Sequence, residues 1–175
     1  MASAITKIAE LNGTNSSSVI SFTSISSTYK DLMFFGSLRN FASGTSYSNQ
    51  EVKINFNGDT GTNYWDAYSY QRDNTIRYQM YTSGNSLRPI VCTTSSGSTT
   101  AYGTFRLFCP GYRDASLYKR FDILGAAHQT SNGMQNTIQS NSGWEQYSAI
   151  TQVDFTNTLA STFTTDSRIS LYGIK

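Results

Sequence analysis

The chain has 175 residues, 14% of them charged, with a formal net charge of +2 and a pI near 8.5. Its 13 Lys and Arg residues are scattered rather than clustered, so a nucleic-acid footprint is missing, and no apolar run approaches the roughly 18 residues of a membrane-spanning helix. With one histidine, two cysteines and 11 acidic residues, few side chains can be tuned for proton transfer, which weighs against catalysis and towards a surface that binds or assembles.

Ser and Thr fill 48 positions and glycine 13, a composition rich in turns, while 14% aromatic residues spread along the whole length argue for a folded core rather than disorder. The opening residues, Met1 to Glu10, carry no hydrophobic signal region, and folding in a cytoplasm is expected. Ala4 to Leu11 alternates loosely and is closed by Asn12-Gly13-Thr14-Asn15, and Ser18 to Thr23 is a short β-branched run. Tyr29 to Leu38 carries Leu32, Met33, Phe34 and Phe35 in a row and reads as a central strand buried on both faces. Glu51 to Phe56 alternates cleanly, with Val52, Ile54 and Phe56 on one face, and Asn57-Gly58-Asp59-Thr60-Gly61 follows as a turn that tolerates positive φ.

Further strands are predicted at Tyr64 to Arg72, Ile76 to Tyr81, Pro89 to Thr93, Ala101 to Phe108, Tyr118 to Ala127, Met134 to Gln139, Ala149 to Phe155 and Arg168 to Tyr172. Nowhere does a helical period of apolar residues run for three turns, and no linker or repeat divides the chain. The expected fold is all-β: one antiparallel β-sandwich domain over residues 1–175, jelly-roll-like.

Chemistry-bearing constellations are sparse. Asp59, Asp66 and Asp73 could offer a carboxylate pair, but Asp59 sits in a turn, where such residues bond the local backbone. Asn57, Asp59 and Asn63 surround glycines as a calcium loop would, yet neither the spacing nor the charge of an EF-hand is present. His128 with Ser131 or Cys109 lacks a nucleophile elbow, and the glycines at 58 and 61 lack the lysine and helix of a phosphate cradle. Cys92 and Cys109 match no metal motif and read as buried thiols or a single bridge between neighbouring strands. No metal or cofactor is expected. Aromatics are denser: Tyr64, Trp65, Tyr68 and Tyr70, then Tyr78 and Tyr81, then Trp144 and Tyr147, suited to core, to a subunit interface or to a sugar platform.

The segments Ile25-Ser-Ser-Thr-Tyr29-Lys-Asp31-Leu32 and Phe56-Asn-Gly-Asp-Thr-Gly-Thr-Asn63-Tyr64, the stretch from Cys109-Pro110-Gly111-Tyr112 to Tyr118-Lys119, and the ending Arg168-Ile-Ser-Leu171-Tyr172-Gly173-Ile174 resemble short virion structural proteins of tailed bacteriophages, of the type carried by phages of cyanobacteria and marine bacteria. The resemblance spans residues 20–174. It implies a β-sandwich that assembles into the virion after synthesis in the host cytoplasm, as a homotrimer in contact with the major capsid protein or other virion proteins. A capsid decoration protein stabilising the head lattice is the first expectation; a receptor-binding module at a tail or fibre tip, taking a host-surface glycan, is the alternative. Arg39 and Arg88, in the expected loops Arg39 to Gln50 and Leu87 to Pro89, are expected to reach the lattice. With them, Tyr64, Trp65, Tyr68, Tyr70, Trp144 and Tyr147 complete the expected interface or ligand set.

Overall fold

The computed structural model describes residues 4–41, 49–72, 75–94, 101–128, 135–158 and 161–175. Along them run β1 (Ile5–Asn12), β2 (Val19–Phe22), β3 (Asp31–Phe41), β4 (Asn49–Phe56), β5 (Tyr64–Arg72), β6 (Thr75–Gly84), β7 (Leu87–Thr94), β8 (Gly103–Cys109), β9 (Lys119–His128), β10 (Gln135–Trp144), β11 (Val153–Asn157), β12 (Thr162–Phe163) and β13 (Arg168–Ile174), with no helix among the described residues.

Two layers face each other. The larger runs β1-β13-β3-β8-β9-β10-β5-β6, antiparallel throughout, and the smaller runs β2-β11-β4-β7. β3 belongs to both: Asp31 to Leu38 pair with β13 and β8, whereas Arg39 and Asn40 pair with β7 in the one parallel contact of the described strands. The chain crosses between layers repeatedly, and the result is a jelly-roll-like β-sandwich.

The core lies between the layers. Phe22, Phe56 and Phe155 from the smaller layer meet Phe34, Phe121 and Phe105 from the larger one, with ring centroids 4.5 to 5.5 Å apart. One contiguous set of buried apolar residues extends from Ile20 to Leu171. Side chains of alternate parity point away from it, as a half-buried strand requires. β3 obeys this rule, which corrects the expectation of a strand buried on both faces: Leu32, Phe34 and Leu38 are buried, Met33 is half-buried and Phe35 is exposed. The two-residue strand β12, pairing Phe41 and Asn40, carries no pattern long enough to read from sequence.

The turn after β4 forms as its residues dictate. Asn57 and Gly58 have φ of 53° and 69°, and Asp59 N–H closes the turn on Phe56 O at 2.9 Å.

Candidate functional site

Parity sorts the aromatic cluster of β5 into two faces. Tyr64, Asp66 and Tyr68 are buried on the inward face, whereas Trp65, Ala67 and Ser69 point outward. Tyr64 and Trp144, two of the rings offered for a sugar platform, are both placed in the core.

 Tyr64 lies between Phe56 and Trp144, its hydroxyl donating to Asp59 O at 2.9 Å and accepting from Phe56 N at 3.0 Å, and burial pushes it up to about 12. Trp144 is 2% exposed and donates its Nε1–H to Asp59 Oδ2 at 2.7 Å. Both rings are therefore removed from the ligand set, because the fold uses them to seat the turn.

Asp59 is committed to the same task. Its Oδ1 accepts Gly61 N at 2.8 Å and its Oδ2 accepts Asn63 Nδ2 at 2.9 Å as well as Trp144. Partial burial pushes the carboxyl up, but these three hydrogen bonds outweigh it and hold Asp59 below the usual range. Asn57 turns its carbonyl oxygen to Thr151 N and Gln152 N, away from Asp59, so the three oxygens of the supposed calcium loop do not converge. No group of three His, Cys, Asp or Glu residues suited to a metal ion occurs among the described residues.

The other expected residues are dispersed. Arg39 lies in β3 rather than in a loop, 3.6 Å from Asp166 and over the Tyr102 ring, and Arg88 lies in β7 over Tyr81. Tyr68 is buried and donates to Gln79 Oε1 at 2.6 Å, with Tyr70 half-buried beside it. Trp65 is half-buried under the Arg120 guanidinium, and Tyr147 is exposed, stacked on Tyr118 at 4.6 Å. Cys92 and Cys109 are buried thiols in β7 and β8, and burial pushes Cys109 up. Residues 42–48, Asp73 and Ser131, and the side chain of His128, lie outside the described residues.

What the structure does bring together is the outward face of the larger layer. Strand register sets one row across it: Glu10, Ser170, Phe35, Arg106, Leu124, Gln139, Ser69 and Tyr78, one residue per strand from β1 to β6. At about 4.8 Å per strand the row is about 34 Å long. At its β6 end a hollow of about 560 Å³ opens over β5 and β10, walled by Tyr78 and Met80 on one side and Asp122 on the other. Ser69 and Gln139 are shared with a second hollow of about 310 Å³ that runs on towards Ile76 and Leu124. Asp122 is paired with Arg106 at 2.9 Å.

β6 forms the rim, and its polarity is inverted. Ile76, Tyr78 and Met80 point outward and are 61%, 80% and 73% exposed, whereas Arg77, Gln79 and Tyr81 lie opposite the inward residues Tyr70, Tyr68 and Asp66. Sequence reasoning found the strand and weighed Tyr78 as core, interface or sugar platform, but gave Ile76 and Met80 no surface role. The usable signal is the alternation Ile-Arg-Tyr-Gln-Met combined with an edge position, which removes the need for either face to be covered.

No family model and no curated protein matches the sequence. Among solved structures, the carbohydrate recognition domain of Emp47p aligns over 98% of this chain and 89% of its own, with 8% identity and a TM-score of 0.32. So low a likeness carries no argument, and the fold rests on the strand pairing itself.

Proposed function

We propose that the chain is a non-catalytic structural protein of a bacteriophage virion, a capsid decoration protein that stabilises the head lattice. The observation that carries this reading is β6. Natural edge strands are blunted by lysine, proline, bulges or short length, since an open edge recruits other strands. β6 is ten residues long, contains neither Lys nor Pro, has Arg77 as its one charge, bulges only at Thr82-Ser83 beyond the apolar row, and leaves Ile76, Tyr78 and Met80 in solvent. An uncovered edge of that kind on an otherwise well-packed sandwich suits a chain whose partner completes it.

A homotrimer fits the same geometry. A three-fold ring needs two different patches on each copy. The larger layer ends in β6 on one side and β1 on the other, and among the described strands β1 pairs only with β13. The resemblance of the sequence to phage virion proteins supplies the particle, and the major capsid protein the larger partner.

Adding the purified chain to expanded shells stripped of decoration tests the reading. Wild type is expected to bind and to raise the shell melting temperature, whereas Met80→Lys, which puts a charge on the rim without touching the core, should do neither while keeping its own melting temperature. Shells that melt unchanged in the presence of wild type would defeat it.

A further inference from the structure

We infer that the outward hollow over β5 and β10 is a binding site for an uncharged oligosaccharide. It shares the walls Tyr78 and Met80 with the β6 rim but not its floor on β5 and β10, which a strand added to that edge would leave open.

The argument starts from the floor. Thr137, Gln139 and Asn141 share the outward parity of β10 and face Gln71, Ser69 and Ala67 in turn across the ladder. Gln139 and Asn141 are exposed, and their amides engage no side chain or backbone group of the described residues. Each amide carries two donors and an acceptor with two lone pairs, held by the strand at a fixed height and spacing. Sugar hydroxyls, which donate and accept at once, match such groups.

The walls supply the apolar half of the match. Tyr78 offers an aromatic face that is 80% exposed, and Met80 beside it is 73% exposed. A ring of this kind suits the C–H face of a pyranose and gains from its burial.

Charge then narrows the class. Asp122 is the one charged residue lining the 560 Å³ hollow, and Arg106 neutralises it at 2.9 Å. Arg120 is spent over Trp65 at the far end of β5, with its guanidinium 4.7 Å from the ring. With no cation among the described residues lining either hollow to receive a carboxylate, sulfate or phosphate, the site selects a neutral ligand.

Shape narrows it further. The two hollows share Ser69 and Gln139 and follow the strands, a run of about 13 Å from Asn141 to Thr137 at roughly 3.3 Å per residue. An open channel of that length suits a short chain of sugars rather than one ring. Of the rings that the sequence offers as platforms, Tyr78 takes part, whereas Tyr64 and Trp144 lie in the core.

Isothermal titration of the full chain with short neutral glucan, mannan and galactan oligomers, and with sulfated and sialylated oligomers as controls, tests the site. At least one neutral oligomer is expected to bind saturably, with an affinity that does not change with added salt. Asn141→Ala and Gln139→Ala are each expected to weaken it about tenfold, the scale of a lost hydrogen bond, and Tyr147→Ala, on the distant Tyr118 stack, should leave it unchanged. Circular dichroism and sedimentation of the same variants keep folding and self-association separate from binding. No saturable binding by any neutral oligomer, or binding confined to the anionic ones, would overturn the inference. So would floor variants that bind as wild type does, or that change only the oligomeric state, which would make the hollow a protein interface. Failure here leaves the shell-melting result untouched, and the reverse also holds.

Discussion

Asp66 gives the sharpest test of the interior. It is 1% exposed on β5, and burial pushes its carboxyl from 3.8 up to about 6. The Ser142 hydroxyl from β10, the Arg88 backbone N–H at 3.0 Å and the Arg88 charge from β7 act the other way, while Glu51 on β4, itself raised by burial, adds to the rise. In the unfolded chain the group titrates near its ordinary value, so the folded chain holds the proton over a window in which the unfolded one has lost it. Its contribution to stability is therefore fully present below pH of about 3.8 and is lost as pH rises through about 6. At about 1.4 kcal/mol per pH unit, the folded state gives up about 3 kcal/mol across that window.

Asp66→Asn removes the titration while its amide oxygen still accepts from Arg88. Urea unfolding of both proteins at a series of pH values is expected to show a difference that shifts by about 3 kcal/mol in the variant's favour between pH 3.5 and 7.5, equivalent to about 6–12 °C in Tm for a domain of this size. Taking the difference cancels the other carboxylates, among them Asp59, whose lowered value works in the opposite sense. A difference that stays flat with pH would refute the reasoning, and one of opposite slope would mean that the fold favours the Asp66 anion.

Trp144→Phe should cost about 1–3 kcal/mol at neutral pH, since it deletes the donor to Asp59 and part of a buried ring. Chemical denaturation should show that loss narrowing as the pH falls through the range where Asp59 takes up its proton. Gly36→Ala should cost about 1–3 kcal/mol as well, because the new methyl would run into the Phe105 ring. A double mutant with Phe105→Leu should recover part of it by the same denaturation measurement, and a fully additive pair would rule out the clash as the cause.

Alternation made most of the strands legible. Glu51 to Phe56 reads correctly because the smaller layer has water on one side, so Val52, Ile54 and Phe56 separate cleanly from Glu51, Lys53 and Asn55. The same reasoning fails at β3, where Met33 and Phe35 extend an apolar run outward onto a face that the sandwich leaves uncovered. It also ends β10 too early at Gln139, since Ser140-Asn141-Ser142-Gly143 has the composition of a turn. Ser140 and Ser142 are in fact buried, paired across the ladder with Tyr68 and Asp66, and small side chains are what that crowded inward face admits.

Parity explains why the site was harder to read than the fold. Two adjacent aromatics such as Tyr64 and Trp65 must point to opposite faces, but the pattern does not say which face is the core. The contact that decides it, Trp144 to Asp59, joins residues 85 positions apart. β6 is the instructive case. Its apolar row, Ile76, Tyr78 and Met80, is the one that a local pattern would bury, and pairing with β5 turns it outward because Tyr68 and Asp66 fix the opposite parity. Local preference and global fold disagree along that strand, and such a conflict on an open edge is where a functional surface is to be sought.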